Sequence, residues 1–518
     1  MENSGKKSVK AISLVMALTL IGKLLGLLRD RLLTVNYGSG MATNAFLTAS
    51  RIPRVFFDAV FASAIAASFI PVFNELAVKK GRREADGFAG NFISVMALIT
   101  LALTVLGTLF AEPLVSLFAD GYDAETTALC VRLTRIMFPT VLFTGIAYSF
   151  VGILQSLDEF NVPALISVVS NALIILYFLI FNDRYGITGL AFAFLIGWLM
   201  QALVQIPSLA SKRFSFHPSL SLRTDGMKKV FALMLPVMVS TWVQPINITI
   251  NSKFGSRLFE GAGVSAIELS SNLYLIIVGV FVLSITNVIF PRLSRLSAGD
   301  EEQSFRETLR LTLHSTLYFV IPMTAGLMLL AAPIVSLIYG GGEFGDFSIG
   351  ITSRALIFSA LGMPGYAVQA VVCRAYFAEQ NGRVPLLAGL ASILVNIILC
   401  VVLIRPLDVA GLALASAAAI SVNALLLLIP LGKRGFKLVG KSGAADAAKS
   451  VLSALVMAAA VWGIRAALGT SAGKIAAVLV PVVVGIAVYF AATLLLRLEE
   501  AKVVAGMAAK LFSVKKGS

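Results

Sequence analysis

Residues 20–61 read LIGKLLGLLRDRLLTVNYGSGMATNAFLTASRIPRVFFDAVF. Apolar residues fill both sides of a Gly-Ser-Gly turn at 38–40, so the stretch reads as the end of one membrane helix, a tight turn and most of a second. Inside it lie Lys23, Arg29, Asp30, Arg31, Arg51, Arg54 and Asp58. A charge at the centre of a bilayer costs at least about 2.5–3.5 kcal/mol, so such residues face a wet cavity, a partner or a substrate. At about 100° per residue, Lys23 and Asp30 share a helix face, and Arg51, Arg54 and Asp58 form a stripe of their own. Pro53 deletes a backbone donor within that stripe, which predicts a bend where the charges lie. Taken singly, Lys23, Arg31 and Arg54 also fit snorkelling to a membrane surface. Arg29–Asp30 together with the Arg/Asp stripe point to a cavity.

The rest of the chain has the same character. Of 518 residues, 58% are hydrophobic and 13% charged, and the mean hydropathy is +0.90. No soluble domain places that much apolar surface inside, so the chain reads as an all-α integral membrane protein. The polar, basic opening MENSGKKSVK leads into an apolar run too long for a signal-peptide core, with no small-residue cleavage site. Cys130, Cys373 and Cys400 sit at unrelated spacings, and the two histidines, His217 and His314, stand apart. Neither a disulfide framework, a metal site nor a histidine-based catalytic site is expected.

Fourteen spans are expected, at about 9–36, 42–73, 88–118, 125–156, 162–181, 187–210, 227–256, 264–291, 309–332, 350–378, 385–404, 409–431, 449–468 and 474–496. Alternate connections differ sharply in charge. Lys79, Lys80, Arg82, Arg83, Lys212, Arg213, Arg434 and Lys437 belong to a set of about 27 basic residues on one side, against about five on the other. Both termini are therefore expected in the cytoplasm. The net charge of +15 is then a rim facing anionic headgroups, and no nucleic-acid partner is expected.

The chain repeats itself. FAEPLVSLF (110–118) returns as LAAPIVSLI (330–338), NVPALISVVSNALIILYFLIF (161–181) as RVPLLAGLASILVNIILCVVL (383–403), and TGLAFAF (188–194) as AGLALAS (410–416). Pro163 to Pro385 and Gly189 to Gly411 are both 222 residues apart. Each copy holds six spans, an even number. This predicts two six-helix lobes related by a pseudo-two-fold along the membrane normal, with a site in the cleft and two C-terminal helices outside the repeat. The expected divisions are 1–215, 216–440 and 441–518.

In the second half, Pro236, Gln244, Pro245, Asn247, Asn251 and Lys253 suggest a broken helix lining a cavity. Glu268, Asn272, Asn287, Arg354 and Arg374 are further polar groups within spans, for most of which interhelical bonding worth about 0.6 kcal/mol suffices. Arg132 and Arg135 read as headgroup contacts. YGGGEFGDF (339–347) lacks the Lys and Ser/Thr of a phosphate loop and reads as a turn at the outer surface.

Several segments resemble one known family. LLGLLRDRLLTVNYGSGMATNAFLTASRIPRVFF (24–57), SFIPVFNE (68–75), VIFPRLSRLSAGD (288–300) and YGGGEF (339–344) are similar to the MurJ (MviN) lipid II flippases of the multidrug/oligosaccharidyl-lipid/polysaccharide exporter superfamily. The resemblance covers nearly the whole chain. It implies a fourteen-helix transporter that turns an undecaprenyl-diphosphate disaccharide-pentapeptide from the inner to the outer leaflet by alternating access. It also implies a cationic central cavity, because guanidinium and ammonium groups pair with phosphate oxygens through charge-assisted bonds. Arg29 and Asp30 match the family's first-helix pair, Lys23 stands where an arginine is usual, and Arg51 matches a basic residue before the family's proline, here Pro53. Departures follow: Phe57–Asp58 replaces a basic pair, Ala62–Ser63 a Glu-Gly, and Asn272 a cavity arginine. Arg54 falls where Asn is common and partly replaces the first loss.

The residues expected at the central cavity are thus Lys23, Arg29, Asp30, Arg51, Arg54, Asp58, Asn272 and Arg374. The partners expected are a lipid-linked oligosaccharide and membrane lipids, with the chain a monomer. No cofactor is expected, and the energy source stands open between a coupling cation (Na+ or H+) and the membrane potential. Two transport alternatives are a flippase for another polyprenyl-linked glycan and a cation-coupled exporter of small molecules or drugs, which would use Asp30, Asp58 and Glu268. An enzyme would need clustered carboxylates or His/Arg motifs in loops, and these short loops supply none.

Overall fold

A chain in hydrocarbon must close its backbone hydrogen bonds within itself, and apolar runs of about 20 residues do so as helices. The computed structural model describes residues 2–57, 62–241, 243–299, 301–436, 441–468, 473–502 and 506. Its helices are α1 (Glu2–Tyr37), α2 (Met41–Phe57), α3 (Ala62–Lys80), α4 (Arg82–Leu109), α5 (Ala111–Phe118), α6 (Ala124–Met137), α7 (Thr140–Ser156), α8 (Asn161–Ile180), α9 (Asn182–Leu203) and α10 (Ile206–Ser211). There follow α11 (Asp225–Thr241), α12 (Val243–Gly255), α13 (Ala262–Ala298), α14 (Glu302–Leu329), α15 (Ala331–Ile338), α16 (Asp346–Ala360), α17 (Met363–Ala378), α18 (Arg383–Lys433), α19 (Lys441–Leu468) and α20 (Ala476–Leu495). Among the described residues the one β feature is an isolated bridge, Gly341 to Phe344.

Nine described helical stretches are long and apolar enough to cross a membrane, or ten with the pair α16–α17, bent by 47°. The 51 residues of α18 would make a rod of about 77 Å, more than twice a hydrocarbon core. A break at Asp408 (φ 48°, ψ −128°) divides it near the expected boundary of 404 and 409. The expected spans at 9–36, 42–73 and 227–256 fall on α1, on α2 with α3, and on α11 with α12. These carry intramembrane charges or run across residues outside the described set.

The stretch expected as one span at 42–73 carries α2 to Phe57 and α3 from Ala62, with residues 58–61 outside the described set. Pro53 lies inside α2, whose described part reaches Phe57. A helical proline forfeits its own N–H bond, and neighbouring groups in a bundle tolerate that loss. Asp58, the third member of the stripe with Arg51 and Arg54, lies outside the described residues.

The duplication is written in the backbone. Left-handed φ values occur at Gly38 and Glu260, Asp158 and Gln380, Gly186 and Asp408, and Arg213 and Gly435, each pair 222 residues apart. These are the points where the chain turns between helices, and a side chain there costs about 1–3 kcal/mol unless its surroundings hold it. The helices recur as well: α4 and α14 both have 28 residues, α5 and α15 both have eight. Even contacts recur. Lys212 Nζ donates to the Leu157 carbonyl (3.2 Å), and at the same offset Arg434 grips the Glu379 carboxylate through two bonds of 2.7 Å.

Two compact units form: Met1–Ser265 with Gly341–Gly345, and Ala266–Gly340 with Asp346–Ser518. Their border falls after α12, so α11 and α12 join the first unit although the repeat begins at about 216. The reason is local. Asn91 clamps the backbone of Ser221 with two bonds (2.7 and 2.9 Å), Lys229 pairs with Glu75, and Met227 and Val230 enter a core with Phe69, Phe88 and Phe92. Bonds from Lys229 and Lys79 hold the Glu75 carboxyl down at about 2.

In the second unit, α19 and α20 lie on α14. Tyr489 donates its hydroxyl to the Tyr318 carbonyl (2.7 Å), and the Tyr318 hydroxyl meets that of Thr493 at 3.0 Å. Water-driven apolar association is lost between helices in lipid, so such bonds and close packing hold them.

Gly186 and Asp408 make the repeat testable. Gly186→Val is expected to destabilise by about 1–3 kcal/mol, since only glycine is at ease at φ 56° and ψ −152°. Asp408→Gly is expected to be near neutral, relief of strain offsetting the lost ion pair to Arg354 (3.0 Å). Thermal unfolding in detergent measures both.

Candidate functional site

The first candidate cluster is built where α1 crosses α8. Gly22 and Gly26, one turn apart on α1, let the backbones approach; a Cβ at Gly22 would strike the Ser167 hydroxyl. Asn171 of α8 fills the seam, donating to the carbonyls of Gly22 (3.2 Å) and Ser167 (2.8 Å). Its own carbonyl oxygen accepts from Arg29 Nη1 at 3.1 Å. Arg29 Nε and Nη2 both donate to Asp30 Oδ1, at 3.0 and 2.7 Å.

Adjacent residues on a helix point about 100° apart, so this pair forms only if the arginine folds sideways around α1. That fixes the guanidinium. Asp30 is 6% exposed, while the Arg29 side chain keeps 23% of its surface. Of the five N–H groups of a guanidinium, three are engaged here and two are left for a ligand. Lys23 lies two turns earlier on α1, half-buried.

The second cluster lies along α2. Thr43, Asn44, Thr48 and Ser50 are buried there, a polar face turned inward. Asn44 donates to the Ser39 carbonyl (2.8 Å) and accepts from the Ser265 amide (3.2 Å). The Tyr122 hydroxyl bonds Thr48 (2.7 Å) and the Asn44 carbonyl (3.1 Å). Half-buried Arg51 interacts electrostatically with that hydroxyl and with Arg54, which is exposed near the end of α2. Two cations three residues apart on a helix repel, and an anion between them removes the penalty.

Asn272 and Arg374 belong to the second unit. Arg374 lies over the Phe290 ring (5.5 Å) and interacts with Tyr366, whose ring meets Tyr274 edge-on at 6.1 Å. Asn272 is two residues before Tyr274 on α13 and half-buried. The candidates therefore divide: Lys23, Arg29, Asp30, Arg51 and Arg54 in the first unit, Asn272 and Arg374 in the second.

Other polar residues singled out in the sequence have partners of their own. Lys253, read as cavity-lining, pairs with Asp120 (3.3 Å) at the end of α12. Arg354 pairs with Asp408, and Arg132 donates to the Thr188 hydroxyl at 3.1 Å. The 339–347 turn exposes Gly342, Glu343, Gly345, Asp346 and Phe347 and is anchored by buried Tyr339 and Phe344. Sequence reading missed Asn171 and Tyr122. An amide in the apolar run of 161–181 was the visible signal for Asn171; nothing marked Tyr122, whose partners come from another helix.

The pairing has a measurable order. Asp30→Asn leaves a partly buried guanidinium uncompensated and is expected to cost about 2 kcal/mol or more. Asn171→Ala, which removes interhelical bonds alone, is expected to cost about 1 kcal/mol. Equal losses in thermal unfolding would mean that Asp30 does not neutralise Arg29.

Comparison with known proteins gives the family of the chain. The family model described as Lipid II flippase MurJ matches residues 35–483. A probable lipid II flippase MurJ from Buchnera aphidicola is 28% identical over 457 residues, covering 87% of this chain and 88% of that protein. Among solved structures, a lipid II flippase MurJ in an inward closed conformation superposes with a TM-score of 0.77 at 27% identity, over 93% of this chain and 99% of that one. A multidrug resistance MATE family transporter of the MOP superfamily, inward-facing, shares the fold at a TM-score of 0.66 and 16% identity, over 83% and 99% of the two chains. With most of its length matched by the family model, this all-helical, multi-pass membrane protein belongs to the MurJ lipid II flippase family.

Proposed function

We propose that this protein is a lipid II flippase, moving the undecaprenyl-diphosphate-linked peptidoglycan precursor from the inner to the outer leaflet of the bacterial cytoplasmic membrane by alternating access. The observation that carries the reading is Arg29, a guanidinium held inside a membrane helix by Asp30 and Asn171 with two donors still to offer. Holding an arginine there costs energy that a purely structural helix has no reason to spend. A diphosphate is its natural complement, planar fork against tetrahedral oxygens. Lys23, Arg51 and Arg54 add positive charge in the same unit, and Asn272 and Arg374 lie in the second.

In this reading the protein is a transporter, not a catalyst, works as a monomer among lipids and keeps both termini in the cytoplasm, on the side of the basic loops. Transport draws on a coupling cation, Na+ or H+, or on the membrane potential, which supplies about 2.3 kcal/mol per charge per 100 mV. Asn272, in place of a usual cationic residue, is the observation that favours a second reading, a flippase for a different polyprenyl-diphosphate glycan.

Expression in a strain depleted of its own lipid II flippase tests the proposal, with rescue of growth expected. Arg29→Ala is expected to abolish rescue while the protein still accumulates in the membrane. Arg29→Lys keeps the charge but loses the fork, and is expected to rescue partially. Asp58→Asn removes a carboxylate that would repel an anionic lipid and is expected to leave rescue intact. The opposite pattern, Arg29→Ala tolerated and Asp58→Asn inactive, would make the substrate or coupling ion a cation. Rescue failing while purified protein moves another lipid-linked glycan in liposomes would select the second reading.

A further inference from the structure

Two turns of the first unit make matching contacts at the 222-residue offset. After α5, Asp120 accepts two bonds from Arg257, Nε at 2.9 Å and Nη2 at 2.6 Å, and pairs with Lys253 at 3.3 Å. Beside it the Gly121 amide donates to the Ser256 hydroxyl at 3.0 Å. After α15, the Glu343 amide donates to the Val35 carbonyl at 3.0 Å. Glu343 is the repeat partner of Gly121, and Val35 that of Arg257. Each turn thus holds the end of the opposite repeat's first span: the 341–345 turn holds α1, and the 119–123 turn holds α12.

The contacts are close enough to specify residues. A Cβ at Gly121 would lie 2.5 Å from the Arg257 amide nitrogen, and one at Gly342 (φ +53°) would strike the Val35 carbonyl. The two halves of the exchange differ in chemistry, one ionic and one backbone. Arg257 holds the Asp120 carboxyl below its usual range, and Asp120 raises the Arg257 guanidinium in return. Both partners keep much of their surface, 48% and 30%, so the ionic half is screened by solvent and weak.

We infer that these two turns form a reciprocal clasp closing the outer mouth of the transporter, and that they part together when substrate leaves for the outer leaflet. This rests on the transporter reading and on the basic loops being cytoplasmic, which places all four partners at the outer face. A cargo leaving outward needs the first span of each repeat to move away from the opposite repeat. The swapped turns are the contacts such a movement must break, and their symmetry ties one to the other.

Hydrogen exchange on the full chain in lipid nanodiscs tests the coupling without any substrate. Asp120→Asn, or Arg257→Ala, is expected to speed amide exchange roughly threefold to tenfold, both at 119–123 and at the untouched 341–345 turn. Reversing the charges, Asp120→Arg with Arg257→Asp, is expected to slow both again. Faster exchange confined to 119–123, or no change at either turn, would overturn the inference.

A second measurement uses Asp120→Cys with Arg257→Cys in a chain whose Cys130, Cys373 and Cys400 are serine. Joining the pair with a short cleavable thiol linker is expected to stop transport of lipid II in liposomes, and cleaving it to restore transport. Transport persisting through the cross-link would remove the clasp as a gate. Coupled exchange in a protein that transports no lipid II would leave the clasp standing and defeat the flippase reading instead.

Discussion

A guanidinium inside hydrocarbon must find a partner or leave the membrane, and the first unit is arranged around that demand. Arg29 is satisfied from two directions: Asp30 on its own helix, Asn171 on α8. The Asp30 bond neutralises most of the charge, and the Asn171 bond decides which helix α1 packs on. Gly22 and Gly26 then bring the backbones together along the same seam. Remove the Asn171 bond and the seam keeps its glycines but loses the contact that ties Arg29 to α8. Binding and packing are here one set of bonds, so a ligand reaching Arg29 also reaches the contact between α1 and α8.

The duplication has a physical consequence beyond ancestry. Turn positions survive in the two copies with different residues: glycine at 186 but aspartate at 408, aspartate at 158 but glutamine at 380. A left-handed residue is cheapest as glycine, and elsewhere its cost is borne by surrounding bonds such as that of Asp408 to Arg354. The copies have diverged most in their polar groups. The first carries Arg29 and Asp30 on its first span, whereas the matching helices α11 and α12 carry Lys253 at the far end, committed to Asp120.

Membrane class, helical architecture, the repeat and most spans were legible because each depends on composition summed over 20 residues or on a fixed offset. The exceptions are instructive. The stretch 88–118 reads as one span since its apolar content is continuous, yet α4 ends at Leu109 and α5 begins at Ala111. The 339–347 stretch reads as a turn at the outer surface, but nothing in it shows that Phe344 is buried and that the Glu343 amide is spent on Val35. Turn chemistry is local, but whether a turn is packed against depends on chain hundreds of residues away.

By itself the sequence determined that the chain lies in a membrane, that it is built twice, and that Lys23, Arg29, Asp30, Arg51 and Arg54 are charges in need of partners. Insertion cost and helical periodicity are properties of neighbours along the chain, so they need no coordinates. Only the tertiary structure decided who those partners are. It gave Arg29 to Asn171, Arg51 to the neighbourhood of Tyr122, and Lys253 and Arg257 to Asp120. It also drew α11 and α12 into the first unit, across the boundary of the repeat. Each of those choices joins residues that the repeat and the periodicity leave independent, through bonds of about 3 Å that exist only once helices are side by side.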